Sequence, residues 1–412
     1  MASPMPDSYS AATGQAIYGG RYNSVPMDVV NNVWTPTTDA SGNILSASWA
    51  NLPLDEWCAI SGTALQAITD ALVAADLDPN RIDYGTSNVL GTFKAWCGAA
   101  VDEAGGRAWI PWGGGHNDSS MNGIWRIDLE RADGWAIEVY PSDPDAPGYE
   151  WSQEYRDSNS YSLYNLPAPL DDPADILPDN MPTSRHTYEG VWYDSARNRI
   201  GQCRNRMWYY DVTTGQTNNM KWWGQTVPLY NASIQSAVFY DEVHDRLTGY
   251  LRSGIYDYST WGWSNLDTGE IINTDSYTTT HTPMIVRKGR EIHVINENLL
   301  YGVFDMDSLV FTTEQTLTGL DVDKFTQPSM ASVYIPEWDR IMLRYSASPY
   351  LGQWDMFDLN TLQHETYAPQ GIEVPYSSYP SSKVFYYPRR KCVIYITAPD
   401  YSSPSVYVMR VG

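Results

Sequence analysis

Two short segments combine residue types able to bind ligands or move protons. The first is Trp112-Gly113-Gly114-Gly115-His116-Asn117-Asp118. Its three glycines permit positive φ and close backbone approach, while His116 and Asp118 bring hydrogen-bonding and proton-transfer capacity. The second is Pro182-Thr183-Ser184-Arg185-His186-Thr187-Tyr188, with Arg185 and His186 as its charged and titratable pair. Two roles suit these side chains equally in chemical terms: hydrogen bonding to a neighbouring structural unit, and contact with a ligand. Three aromatic segments add candidates. They are SGIYDYSTWGW (253–263, with Tyr256, Tyr258 and Trp261), SASPYLGQW (346–354, with Tyr350) and TAPDYSSPS (397–405, with Tyr401). Tyr, Trp, Ser and Gly in exposed loops make adaptable contact surfaces, and their ring faces suit stacking on sugars. Packing of loop against loop draws on the same residues.

Enzymatic readings find little support. A copper radical site needs a Tyr–Cys pair and several His ligands, whereas only six His are present and only His116 and His186 fall in related motifs. Sialidase-type Ser-x-Asp-x-Gly-x-x-Trp turns, a Walker loop, HExxH and GxSxG are absent. Cys58, Cys97, Cys203 and Cys392 match no zinc spacing and read as reduced, buried structural thiols. No catalytic residue, metal site or cofactor is therefore expected.

Charge excludes further classes. With 26 basic and 49 acidic residues the formal net charge is −23. Such a surface repels phosphate backbones and anionic headgroups, so nucleic acid is not an expected partner. No apolar run approaches the ~20 residues of a membrane helix, and the N-terminus has neither the basic start nor the apolar stretch of a secretory signal. The expectation is a soluble chain folded in a cytoplasm.

These candidate residues must be held by a repeat. A strand, a charged turn and a second strand recur as AAVDEAGGRAWI, VWYDSARNRI, VFYDEVHDRL, MIVRKGREIHV, VYIPEWDRIML and VFYYPRRKCVI. From Val191 to Val238, Ile285, Val333 and Val384 the steps are 47, 47, 48 and 51 residues. A third strand ending in an aspartate-led turn follows, as in MWYYDVTTGQ and WDMFDLNTLQ, and then a fourth. Four strands per period near 50 residues is the pattern of a kelch-type propeller blade. The expected fold is all-β: a single six-bladed kelch-like β-propeller with one short helix.

The last unit stops after three strands, so a strand near residues 43–53 is expected to complete the sixth blade and remove an exposed edge. Thr63 and Gln66 have capping-box spacing ahead of a helix at about 63–75. Residues 1–93 thus form an arm with closing strand and helix, and 94–412 the blades. A Pro-, Asp- and Tyr-rich insertion at 141–182 has no strand period and reads as a functional loop or packing arm.

Together, the Gly113–Asp118 and Ser184–Tyr188 motifs resemble a kelch-like propeller family of tailed-phage genomes, over about Lys94 to Tyr210. Ser119 stands where that family carries an aromatic residue. The resemblance implies a virion setting. The expected function is a non-enzymatic virion structural protein on a tail or capsid, present in multiple copies. Other virion proteins and a host-surface glycan or receptor are the expected partners. A carbohydrate-active or oxidative propeller enzyme and an intracellular kelch-type scaffold are the alternatives.

Overall fold

The computed structural model describes residues 9–10, 15–16, 28–77, 89–94, 97–113, 121–143, 181–182, 187, 189–204, 206–214, 221–223, 237–252, 259–265, 271–275, 284–296, 298–318, 320, 324, 330–345, 348–375 and 383–412. The protein is all-β, with small antiparallel sheets in a propeller-like arrangement. Five of these sheets have four strands each, in simple chain order. Their innermost strands are Ala100–Asp102, Val191–Asp194, Ala237–Asp241, Met284–Lys288 and Ala331–Ile335. A larger sheet begins with Val384–Tyr387, Cys392–Ile396 and Val406–Arg410, and takes its next strand, Glu56–Ile60, from the other end of the chain. Tyr407 pairs with Ala59 and Met409 with Trp57.

The closing strand is thus not the expected one at 43–53. That stretch carries a short helix, α1 (Ser46–Ala50). Ser48, inside α1, is buried, and its hydroxyl bonds Asp28 and accepts from Thr37 N at 3.0 Å. Its Ser and Ala residues have no period-2 alternation to favour a strand. Glu56–Ile60, paired on its two edges with Val406–Arg410 and the parallel strand Val33–Trp34, is buried on both faces: Cys58 and Ile60 pack into one core cluster and Trp57 and Ala59 into another. Burial on both faces removes the alternation by which a strand is recognised.

One helix was expected, and three occur among the described residues: α1, α2 (Gln66–Ala74) and α3 (Val89–Lys94). The capping box at Thr63 is not formed. Leu65 is the N-cap, and no side chain caps α2. The Thr63 hydroxyl instead donates to Ile60 O at 2.7 Å and accepts from Ser405 N at 3.2 Å, tying the helix entrance to the large sheet. Ile68 and Leu72 of α2 are buried, and the helix packs on the outer strand of the first sheet, Trp135–Val139. Gly134, at φ +72°, makes that strand's entrance possible, since a Cβ there would stand 2.4 Å from Gly62 O.

The recurring aspartates fix the turns. Asp211 accepts Thr213 N at 2.9 Å, Asp305 accepts Ser308 N at 2.6 Å, and Asp358 accepts Thr361 N at 3.0 Å. These backbone bonds, which favour the ionised form, hold the carboxyls of Asp305 and Asp358 below the usual range. On the inner hairpins, Tyr193, Tyr240 and Tyr334 each donate to the residue five places on: Asn198, Asp245 and Asp339. All three acceptors have φ between +51° and +53°, a left-handed turn that Asn and Asp tolerate best.

Neighbouring sheets are stapled in sequence. Arg197 pairs with Asp245 and Arg290 with Asp241, linking the second, third and fourth sheets. Lys288 bonds Asp339 at 2.6 Å, and Tyr386 bonds Glu337 at 2.8 Å. The large sheet then meets the first. Tyr387 donates to Glu130 at 2.5 Å, Arg390 Nε donates to the same carboxylate at 2.8 Å, and Trp135 Nε1 donates to Ser405 Oγ at 2.7 Å. Burial opposes the charge on Glu130, yet the bonds from Arg390 and Tyr387 lower its pKa overall.

Buried aromatics fill the layers between sheets. Trp34, Trp57, Trp109, Trp112 and Trp125 are each at most 1 % exposed. Cys58, Cys97 and Cys392 are free thiols buried in these layers. Desolvation pushes both the Cys58 and the Cys392 thiol up to about 12, so neither supplies a thiolate at neutral pH. Cys203 lies in the strand Arg199–Arg204. Among the described residues no helix is long and apolar enough to cross a membrane.

Candidate functional site

His116, Asp118, Arg185, His186, Tyr256 and Tyr258 lie outside the described residues. The backbone around them shows where their segments are anchored. Gly113 sits so close to Cys97 that a Cβ would stand 2.8 Å from its Sγ. Gly98 N donates to Thr187 Oγ1 at 3.0 Å. Gly113 of the first motif and Thr187 of the second therefore meet one dipeptide, Cys97-Gly98, just before the innermost strand of the first sheet.

The insertion is anchored nearby. Asn122, 2 % exposed, follows the Gly-rich segment in the connection between the second and third strands of the first sheet. Its Nδ2 donates to Ser142 Oγ and to Pro182 O, both at 2.8 Å, while its Oδ1 accepts Ser142 N at 2.9 Å. One amide side chain thus clamps both ends of the 141–182 segment. No feature of the sequence singled out Asn122.

The fifth sheet repeats this meeting of a strand-to-strand loop with a sheet-to-sheet connection. Lys324, in the connection from the fourth sheet, is 6 % exposed and bonds Asp355 Oδ2 at 2.7 Å. Tyr345 donates to the same oxygen at 3.0 Å. The ammonium lies 5.2 Å from the Tyr345 ring centroid and 5.1 Å from that of Tyr350, within cation–π range. Tyr350 is half-buried in this cage. Asp355 is fully buried, and its Oδ1 has no hydrogen-bond partner among the described residues.

Two other expected contact residues are also engaged by the fold. Tyr401 is half-buried against the core that holds Leu65 and Phe93; its carbonyl accepts Gln66 N at 3.0 Å and its hydroxyl Leu90 N at 3.5 Å. It positions α2 and α3. Trp261 stands in the strand Ser259–Asn265 opposite Tyr250, at a register shift against Asp275.

A cavity of about 630 Å³ forms a second locus. The innermost strands of all six sheets just described line it, through residues such as Val101, Val191, Val238, Ile285, Val333 and Val384. Its wall is apolar along these strands. Where the inner hairpins turn, it carries Asp102, Glu103, Glu242 and Arg287, with the aromatic side chains of Tyr193, Tyr334 and Tyr386.

No family model and no curated protein sequence matches the chain. Among solved structures, one similar chain belongs to "Crystal Structure of Mitotic Checkpoint Complex", at 7 % identity and TM-score 0.41, over 76 % of this chain and 86 % of that one. Another is apo AztD from Citrobacter koseri, at 13 % identity and TM-score 0.30, over 56 % of this chain and 48 % of that one.

Proposed function

We propose that the six larger sheets are the blades of one closed, six-bladed kelch-like propeller, and that it serves as a non-enzymatic structural protein of a phage virion. It stands on the tail or capsid in multiple copies, for assembly or for attachment to a host-surface glycan. The ring reading is supported by the shared cavity and by the Glu130–Tyr387 and Glu130–Arg390 bonds between the last sheet and the first. The observation that carries the function is the common anchoring of both motifs at Cys97-Gly98. Gly113 and Thr187, the described members of the two motifs, thereby meet at one dipeptide, and Asn122 joins the two ends of the 141–182 segment.

The test is the composition of purified particles. Mass spectrometry should find the protein at a fixed ratio to the major capsid protein, and cryo-EM should place a ring of matching size on the particle. Its absence from purified particles, with expression verified in infected cells, would overturn the virion reading. A glycan array with the isolated protein checks attachment: saturable binding to a surface glycan supports it, and an array without binding limits the role to assembly.

A further inference from the structure

The hairpin end of the axial cavity carries a charge that the fold leaves unanswered. Four charged side chains line that mouth, and three are engaged. Asp102 receives Arg107 at 2.7 Å and Gly105 N at 2.9 Å. Glu242 receives Arg287 at 2.6 Å. Arg287 also donates to Gly289 O at 2.9 Å and to Tyr240 O at 2.8 Å. Glu103 has no hydrogen bond or ion pair within the described structure, and its side chain is open to solvent in the mouth.

Glu103 lines the cavity together with residues of the other five sheets. It belongs to the first sheet, yet its carboxyl feels Glu242 of the third and Arg287 of the fourth, and it acts in turn on Tyr386 of the last. Protein surrounds it closely enough that desolvation, reinforced by Glu242 and Asp102 against Arg287, raises its pKa. Tyr193, Tyr334 and Tyr386 line the same cavity, as do Phe239 and Phe385; one face of Tyr193 is stacked on Trp109 and Lys288 lies 5.2 Å from the Tyr334 ring, which leaves their other faces and the Tyr386 ring to the cavity. A carboxylate among aromatic faces in a partly desolvated cavity attracts a cation through both its charge and the ring quadrupoles.

We infer that this mouth is a binding site for an organic cation of alkylammonium or alkylguanidinium type, with Glu103 as its counter-ion and the tyrosine rings as its walls. The alkyl part enters the apolar cavity and the charged head stays at Glu103. A free small molecule and a basic side chain of a partner protein present the same chemistry. The site does not depend on where the protein works.

The experiment is calorimetric titration of the full chain at low salt with butylguanidinium, its neutral isostere butylurea, and the blocked tripeptide acetyl-Gly-Arg-Gly-amide. Butylguanidinium should bind saturably and butylurea should not. Glu103→Gln should weaken binding by about tenfold. The exposed Glu314→Gln, on the outer strand of the fourth sheet, should leave it unchanged and so controls for overall charge. Binding of both cations supports a site open to free ligands. Binding of the tripeptide alone, still dependent on Glu103, supports the site and assigns it to a partner's arginine. Equal binding of butylurea, equal weakening by Glu314→Gln, an unaffected Glu103→Gln protein, or no saturable binding by either cation would overturn the inference.

Discussion

Asn122 donates from its side-chain amide to Pro182 O at 2.8 Å across 60 residues of chain. The same amide group holds Ser142, so the two ends of the insertion are brought together before the next sheet begins. The entropy of bringing those two ends together is offset by three hydrogen bonds to one buried side chain.

Asn122→Ala should release this base. Removing the amide strands Pro182 O and Ser142 N, at a cost of about 1–3 kcal/mol. Limited proteolysis should then cut between residues 143 and 181 several-fold faster than in the parent protein, while the thermal midpoint falls modestly. Unchanged cleavage would show that the segment is held elsewhere.

The Lys324–Asp355 pair should behave as a buried ion pair. Lys324→Met alone leaves a buried carboxylate without its counter-ion and should cost about 3–5 kcal/mol in urea unfolding. Adding Asp355→Leu removes that charge and should recover most of the loss. A double variant no better than the single one would locate the cost in lost packing on Tyr345 and Tyr350 instead.

His293 should make the fold sensitive to mild acid. It is 5 % exposed and its Nδ1 lies 2.7 Å from Tyr301 OH. Burial lowers its pKa, with Glu291 opposing, so the folded state holds it neutral. The unfolded chain takes up a proton near the ordinary value of about 6.5. Stability from this residue is thus full above about 6.5 and falls as pH drops toward the lower folded value. Urea unfolding should therefore give a smaller free energy at pH 5.5 than at 7.5, and His293→Gln should narrow that difference. An equal pH response in the variant would assign the effect to other groups.

Much of the fold was legible because a propeller writes its period into the chain. Each inner hairpin needs apolar residues, a turn residue tolerating left-handed φ, and a second strand. Asn198, Asp245 and Asp339 therefore recur in step with Tyr193, Tyr240 and Tyr334. The aspartate-led turns at Asp211, Asp305 and Asp358 were legible for the same local reason.

The closing strand was not. Glu56–Ile60 has no hairpin partner; it runs parallel to Val33–Trp34 and antiparallel to Val406–Arg410, about 350 residues away, and burial on both faces leaves a plain apolar run. The capping box at Thr63 failed because its hydroxyl donates to Ile60 O, three residues back, and accepts from Ser405 N of a distant segment.

The candidate sites divide in the same way. Tyr350 and Tyr401 were found as aromatic loop residues, and only tertiary packing decided that one cages Lys324 and the other positions two helices. Asn122, Lys324, Asp355 and Glu103 carry no sequence signal, since a polar residue's role depends on what lies opposite it. By itself the sequence determined the all-β class, the blade-like repeat and the hairpin turns, because each follows from interactions between near neighbours in the chain. Tertiary structure alone decided which strand completes the last sheet, which amide clamps the insertion and which carboxylate is left facing the cavity, because those partners meet only after distant segments are brought together.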